Sequence, residues 1–375
     1  MNGVGACPRI ACLLALFMPL LLIMPSSITA GERLSQLGLP TVPLPVENPL
    51  SPQKIALGKK LFFDTRLSAD GAVSCASCHQ PERAFTDGLP LARGLSGRTG
   101  TRNTPSLINV AFNRFQFWDG RQPDLETQAI EPFFNLREHG LPDEHVLLNI
   151  VRRDRGYAAA FRAAFQGSPD AIGIEQIARA LASFERTLVA GNSSFDRYEF
   201  AHETSALTAG AVRGLALFRG SARCATCHTI GTESALFSDD QFHSVSNGLR
   251  PLGPRLAALA SGVVRDREGG TAIDQRILSD GEVAQLGRFL VTLNPVDIGK
   301  FRTPSLRNVA STAPYMHDGS VATLAEAVEL ELYYRGVEAG HPLILTPHEK
   351  DDLVEFLNAL GSPKTAALPH RVTTK

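Results

Sequence analysis

The sequence carries almost no net charge, because 37 Lys and Arg residues are balanced by 38 Asp and Glu residues. A formal charge of -1 argues against nucleic acid or an anionic membrane as a partner. Methionine and cysteine are also scarce, with 4 and 6 among 375 residues. Between Gln80 and Glu138 there is no histidine and no methionine. That stretch therefore has no imidazole or thioether to offer a metal ion.

No apolar run is long enough to span a membrane comfortably; the longest covers residues 10–24. Arg9 precedes this run, and small residues lead from it to Ala30. This pattern predicts a secretory signal peptide over residues 1–30, with an uncleaved anchor helix as the alternative. Either form places the folded part outside the cytoplasm, and we expect a periplasmic protein. Cleavage would remove Cys7 and Cys12.

The remaining cysteines all belong to one pentapeptide pattern that occurs twice, C-x-x-C-H. Its residues are Cys75, Cys78, His79, Cys224, Cys227 and His228. The pattern is the attachment signature of c-type haem, in which two thiols bond the porphyrin and the imidazole takes an axial iron position. A single C-x-x-C could equally indicate a disulfide, a redox pair or half of a zinc site. Two copies, each followed by histidine, predict two haem c groups.

Helical spacing of apolar residues recurs on both sides of the motifs, and we find no convincing set of strands. We therefore predict a mainly α fold of two cytochrome-c-like haem domains with long irregular loops. An extended lead-in over 31–50 precedes domains at 51–192 and 193–375. Predicted helices run from Pro52 to Phe63 and over 124–134, 142–153, 174–189, 208–218, 323–334 and 347–360. The stretches 80–120 and from the second motif to about Pro304 are predicted to be irregular.

Four further segments are similar to a known family, the di-haem bacterial cytochrome c peroxidases and their MauG-like relatives. They are RNTPSL (102–107), FWDGR (117–121), FRTPSLRNV (301–309) and APYMHDG (313–319). With the two haem motifs, in this order, the resemblance covers nearly all of the chain after residue 56. It implies a peroxidatic N-terminal haem, which binds hydrogen peroxide, and a C-terminal haem that passes electrons to it.

The resemblance also assigns residues to the first haem. Glu138 is implied as the acid/base catalyst and Gln128 as the residue that positions peroxide, although the spacing alone fits an ordinary polar helix surface. The single tryptophan, Trp118, is implied to lie between the haems and assist electron transfer. The peroxidases carry a blocking histidine where this chain has Leu95, so we expect an open first iron. His139 is the one nearby imidazole that could close this iron, but we interpret it as a surface residue beside Glu138.

His228 is one axial ligand of the second haem, and the sequence offers several candidates for the other ligand. The family places methionine or tyrosine fourteen residues after the histidine of the His-Asp-Gly segment, and that count from His317 gives Glu331. Tyr333 begins Tyr-Tyr-Arg-Gly, which resembles the Tyr-x-Arg-Gly ending of the family with two residues inserted. We predict Tyr333 as the ligand, with Tyr334 and Glu331 as alternatives. Met316 is the only methionine after residue 24, and MauG-like proteins do not use the methionine at this position.

The resemblance further implies one calcium ion between the domains, held by oxygens of Asn103, Thr312 and Pro314. His317 and Asp318 are expected to be structural.

The leading function is peroxide reduction with electrons from a small cytochrome c or cupredoxin. The alternative is oxidation of a Trp or Tyr of a protein substrate, as in the MauG-like branch. A non-catalytic electron-transfer cytochrome would need protein ligands to seal both irons. The absence of histidine and methionine from residues 80–138 argues against that. Whether the chain forms a homodimer is left open.

Overall fold

A computed structural model provides the coordinates of the chain. The structure describes residues 36–165, 172–244, 248–270 and 273–363, together with residues 1 and 3, and only the backbone of 273–275. Apart from residues 1 and 3, the predicted signal peptide lies outside these ranges. In the described part of the lead-in, 36–50, the chain forms turns and extended backbone without a helix or strand.

The described residues are mainly helical, as the sequence predicts. The α-helices, numbered α1 to α15 in chain order, are Pro52–Phe62, Cys75–Cys78, Leu125–Gln128, Glu131–Phe134, Glu144–Arg153, Arg155–Phe165, Ile174–Glu185, Ser194–Phe200, Ala209–Arg219, Leu256–Glu268, Ile273–Ser279, Gly281–Ala284, Phe289–Thr292, Leu324–Ala339 and Pro347–Asn358. The strands are β1 (Phe242–Ser244) and β2 (Lys300–Arg302), which pair antiparallel with His243 opposite Phe301. None of the described helices is long and apolar enough to cross a membrane.

Helix α1 begins as the sequence predicts, because Ser51 caps it and proline follows at the first helical position. Its apolar face packs across α7, where Gly58 allows the backbones to approach closely. A Cβ at Gly58 would lie 1.9 Å from the carbonyl oxygen of Ala180. This crossing is the centre of the first hydrophobic core, against which Cys75 packs. The first haem motif is thus fixed to the core by its own chain.

The second half of the chain repeats this arrangement. Helix α9 crosses α15, and a Cβ at Gly214 would lie 2.0 Å from the carbonyl oxygen of Asp352. The second core surrounds this crossing, and Cys224 packs against it. The first core ends in sequence at Leu188 and the second begins at Phe195, on either side of the predicted boundary after residue 192.

The segments that follow the two haem motifs also repeat each other, with equivalent residues 199 positions apart. Ser106 and Ser305 each donate from Oγ to a backbone carbonyl, of Ala84 and Leu236. Two other related pairs have a left-handed backbone conformation in both members, namely Asn109 with Asn308 and Phe117 with Met316. A further pair, Asp124 and Thr323, caps a helix in each half. The two halves therefore share one backbone plan after each haem motif.

The prediction of an irregular stretch up to Pro304 is wrong for residues 256–292. Helices α10 to α13 form a small third core there, which includes Val263, Phe289 and Leu290. The sequence did not predict helix α10 because Val263 is its only fully buried side chain. The apolar and polar residues of this helix are therefore only weakly separated onto different faces. Helix α6 was missed as well, and the predicted helix over 124–134 is two short helices, α3 and α4.

Candidate functional site

The first haem motif forms α2, a single helical turn. Ser74 and Ser77 close a capping box at its start. The Nδ1 atom of His79 lies 3.0 Å from the carbonyl oxygen of Phe85, which assigns the ring proton to Nδ1. Burial lowers the pKa of His79, so the ring stays neutral. A neutral imidazole with Nε2 unprotonated is the form that binds iron.

The second motif has the same geometry on a 3-10 turn, Cys224–Thr226. His228 Nδ1 lies 2.8 Å from the carbonyl oxygen of Phe237. Burial lowers the pKa of His228 to about 4, so this ring is also neutral. Both histidines are therefore oriented by a backbone carbonyl and present Nε2 as the free ring atom.

One cavity joins the two motifs. His79 and His228 both line it, as do all the motif cysteines. Among the described residues, no disulfide joins the motif cysteines, which argues against the disulfide interpretation. Burial raises the pKa of Cys78 and of Cys224 to about 12.

Unpaired cationic atoms in this cavity fit the carboxylates that a haem carries. Within the described part of the chain, Nε and Nη1 of Arg102 and Nε of Arg302 are buried without a hydrogen-bond partner, and both side chains line the cavity. Burial lowers the pKa of Arg102 to about 10. An unsatisfied buried guanidinium is costly, and an anionic propionate would compensate it. The residues present therefore fit two haem groups.

Glu138 and Gln128 both line the cavity, as the resemblance implies. Burial raises the pKa of the Glu138 carboxyl above its ordinary value, against the lowering effect of Arg121. Asn135 Nδ2 donates to Glu138 Oε1 at 2.6 Å and fixes the direction of the carboxyl group. A buried carboxyl group of raised pKa can both take up and release a proton.

His139 is not the surface residue that the sequence predicts. Its side chain is 3% exposed, lines the cavity and packs edge-on against Phe133. Nδ1 lies 2.8 Å from the carbonyl oxygen of Leu67, and Nε2 lies 3.9 Å from Cys75 Sγ. Polar character suggested exposure, whereas the fold buries this ring beside a haem-attaching cysteine.

Trp118 lines the same cavity, at the junction of the two halves. Its indole Nε1 donates to the backbone oxygen of Asn103 at 2.9 Å. Its own backbone oxygen accepts from the N–H of Arg302, at 2.9 Å. The first half of the chain thus holds the ring, and the second half holds the backbone of the same residue.

The three predicted calcium residues, Asn103, Thr312 and Pro314, also line the cavity. Asn103 Nδ2 donates to the backbone oxygen of Leu89, which leaves Oδ1 as the acceptor atom of that side chain. His317 Nε2 lies 2.6 Å from Gln285 Oε1, and its ring stacks on Phe301 with centroids 3.7 Å apart. These contacts fit a structural role for His317.

Tyr333 does not reach the cavity, which corrects the predicted second ligand. It is 61% exposed on the outer face of α14, and its ring contacts Tyr334 edge-on. Glu331, the alternative, lines the cavity. Two residues turn a helix by about 200°, so Tyr333 and Glu331 lie on opposite faces of α14.

Glu185 and Arg102 are cavity residues that the sequence reasoning missed. Among the described residues, Oε2 of Glu185 is buried without a hydrogen-bond partner, and burial raises the pKa of the side chain to about 8. A signal existed, because Glu185 directly follows Phe184 on the buried face of the amphipathic helix α7. A charged residue type at a core position is itself an indication of function.

Known proteins resemble this chain over most of its length. A model of the di-haem cytochrome c peroxidase family matches residues 52–205. The methylamine utilization protein MauG of Methylorubrum extorquens is 38% identical over 88% of this chain and 84% of its own length. Cytochrome-c peroxidase IdrP1 of Denitromonas iodatirespirans is 38% identical over 90% of this chain and 89% of its own.

Among solved structures, the fold is similar to that of a MauG-like protein associated with microbial copper homeostasis. The TM-score is 0.72 at 30% identity, and the match covers 89% of this chain and 97% of that protein.

Proposed function

Because this chain belongs to the di-haem cytochrome c peroxidase family, we propose that it reduces hydrogen peroxide to water at the haem held by His79. The observation that carries the proposal is that both motif histidines and the buried Glu138 line one cavity. When bound, the haems supply an iron position for peroxide and a route for the electrons that its reduction consumes.

Glu138 moves the proton in this proposal. Its carboxylate takes the proton from one peroxide oxygen and returns it to the other, which makes water the leaving group. The bond from Asn135 holds Oε1, so that Oε2 is the atom that exchanges the proton. We assign to the Gln128 amide the orientation of peroxide beside this carboxyl group.

Trp118 is proposed to assist electron transfer between the two haem sites. Its position in the shared cavity supports this role, as do its hydrogen bonds to both halves of the chain. An indole is a suitable carrier because its ring is large, polarisable and well packed in a dry environment.

A steady-state assay tests the proposal with the purified holoenzyme. A small reduced cytochrome c or cupredoxin serves as donor, and donor oxidation and peroxide loss are measured together. We expect two one-electron donors to be oxidised for each peroxide consumed. Peroxide loss that is independent of every donor would contradict the proposal.

A second candidate function is the MauG-like one, in which a Trp or Tyr of a partner protein is oxidised by the same chemistry. The observation that favours it is Leu95, which occupies the position of the blocking histidine. Leu95 is buried, and its N–H donates to the Glu138 carbonyl oxygen at 2.8 Å. An aliphatic side chain there would offer no ligand atom to the iron of the first haem. Peroxide consumption over many turnovers with an oxidisable protein present and no reduced donor distinguishes this function from the first.

We also propose a periplasmic location and one calcium ion bound by Asn103, Thr312 and Pro314. Carbonyl and amide oxygens suit this hard cation. Removal of calcium with a chelator is expected to lower activity, and added Ca²⁺ is expected to restore it where Mg²⁺ does not. Full activity in calcium-free protein, verified by metal analysis, would contradict this part.

A further inference from the structure

One face of helix α14 forms a wall of the cavity in the second half of the chain. The side chains on this face recur at helical spacing and are Leu324, Ala327, Val328, Glu331, Leu332 and Arg335. Glu331 is the one member of this row with an atom that binds iron, because arginine stays protonated and the others are aliphatic. About 36% of its side-chain surface is open, on the face of the helix that lines the cavity.

An ion pair restrains this carboxyl group on one side. Arg335 Nε lies 3.6 Å from Glu331 Oε2. The same guanidinium donates to the backbone oxygen of Ser244 at 3.2 Å and pairs with Glu338. The contacts with Ser244 and Glu338 hold Arg335 in place, and Arg335 attracts Glu331 from one side. The side of Glu331 that faces the cavity stays available to a second cation.

The internal repeat makes the start of α14 equivalent to the start of α3. The chain leaves Gly120 and Gly319 at equivalent points, because bridges join Gln116 to Gln122 and Tyr315 to Val321, each pair 199 residues from the other. Asp124 then caps α3, and Thr323 caps α14. In the first half, the segment after this cap carries Gln128 and Glu138, on the side where peroxide would bind. Glu331 follows the equivalent cap and lines the cavity that His228 also lines.

Other ligand-forming groups near the second motif are engaged elsewhere. His243 Nε2 lies 2.7 Å from Asp239 Oδ2, His317 Nε2 contacts Gln285, and Tyr315 donates its hydroxyl to the Val309 carbonyl oxygen at 3.2 Å. Cys227, Asp239 and His243 lie close enough together to suggest a separate metal site, but Cys227 is committed to the porphyrin. Met316 is the remaining competitor.

We propose that a carboxylate oxygen of Glu331 is the axial ligand of the second haem iron, opposite His228, and that Arg335 positions it. This inference depends on the two-haem assignment made above, but not on the fate of peroxide. An anionic oxygen favours ferric iron over ferrous iron, in contrast to a neutral thioether. The second haem is then difficult to reduce, which favours chemistry that starts from the diferric protein.

The test compares four variants of the holoenzyme, each shown to retain two covalent haems. They are Glu331→Gln, Met316→Leu, Tyr333→Phe and the matched control Glu329→Gln, an exposed carboxylate on the same helix that pairs with Lys350. Optical and EPR spectra of the diferric protein and an anaerobic reductive titration give the ligand field and potential of each haem. We expect Glu331→Gln alone to change the spectrum of the second haem and to raise its potential.

A change in the second haem caused by Met316→Leu or Tyr333→Phe, with none caused by Glu331→Gln, would overturn the assignment. If Glu331→Gln fails to retain haem, Glu331→Asp keeps the charge and withdraws the ligand by one methylene, and an unchanged second-haem spectrum in that variant would also overturn it. Because no readout uses peroxide, failure of peroxide reduction and failure of this assignment are separate results.

Discussion

At the scale of single residues, the chemistry depends on the Glu138 carboxyl group, which is buried, fixed by Asn135 and raised in pKa. The substitution Glu138→Gln keeps the shape and the hydrogen-bonding capacity but removes the exchangeable proton. We expect kcat/KM for peroxide to fall by about 10²–10⁴-fold, the usual contribution of general acid–base catalysis. Glu144→Gln, an exposed carboxylate at the start of α5, is the matched control and should leave the rate unchanged.

The same carboxyl group sets the pH dependence of the reaction. The proton acceptor is the carboxylate, and burial raises its pKa above the ordinary 4.5. As the pH falls through this raised pKa, the carboxylate is protonated and the rate of reaction with peroxide declines. A profile of kcat/KM against pH should therefore show an acid limb above pH 4.5 that is lost in Glu138→Gln. An acid limb at or below the ordinary carboxyl value would contradict this role.

At the residue scale, sequence spacing correctly predicted the residues that attach haem. It did not predict which polar side chains the fold buries. The two C-x-x-C-H motifs are recognisable because haem attachment requires that spacing. His139 was misread because exposure depends on the path of the chain over residues 132–141, which the sequence does not show. The prediction of Tyr333 was wrong because a similar short ending outweighed the count of fourteen residues from His317, which gives Glu331. Thr323 fixes where α14 begins, and it is that start which turns Glu331 inward.

At the scale of secondary-structure elements, two equivalent helix crossings hold the motifs in place. Gly58 in α1 meets α7, and Gly214 in α9 meets α15, with no space for a Cβ. We expect Gly58→Ala to lower the free energy of unfolding by about 1–3 kcal/mol, because the helices must separate. Gly214→Ala should behave in the same way.

The control for these variants is Gly262→Ala in α10, where a Cβ would meet only the end of Arg265 at 3.9 Å. Glycine inside a helix costs about 0.5–1 kcal/mol relative to alanine, so this change should stabilise the protein. Urea unfolding of the holoenzyme measures all three. Equal effects at Gly58 and Gly262 would show that the α1–α7 contact is not tight.

The elements themselves were largely predictable, and the exceptions have a common cause. Helices with a proline and a polar cap at their start, such as α1 and α15, match their predicted positions within a few residues. Helix α10 was missed because only one side chain of that helix is fully buried. A helix that covers a core weakly leaves little periodicity in its sequence.

At the scale of the whole molecule, a buried ion pair ties three distant parts of the chain together. Arg307 makes two bonds of 2.8 Å to Asp196, and its side chain is 1% exposed. It also donates to the backbone oxygens of Gly38 and Ala235. The lead-in, helix α8 and the loop between the second haem motif and β1 therefore meet at one guanidinium.

Removal of this guanidinium should be costly because Asp196 would remain buried and unpaired. We expect Arg307→Met to lower the free energy of unfolding by about 3–5 kcal/mol. Arg255→Met breaks an exposed pair with Glu282 and should cost about 0–1 kcal/mol. Comparable losses in the two variants, measured by urea unfolding, would indicate that the Arg307 pair does not hold the three segments.

The central claim at this scale is that the shared cavity presents an open iron position beside Glu138 and a carboxylate-ligated haem beside α14. Optical and EPR spectra of the diferric holoenzyme, recorded before and after peroxide without any reductant, test it most directly. We expect a high-spin signal from the first haem, and we expect peroxide to change both haem spectra in the wild type but only slowly in Glu138→Gln. Two low-spin haems that stay unchanged by peroxide until one is reduced would show that a protein ligand closes the first iron, and would contradict the account.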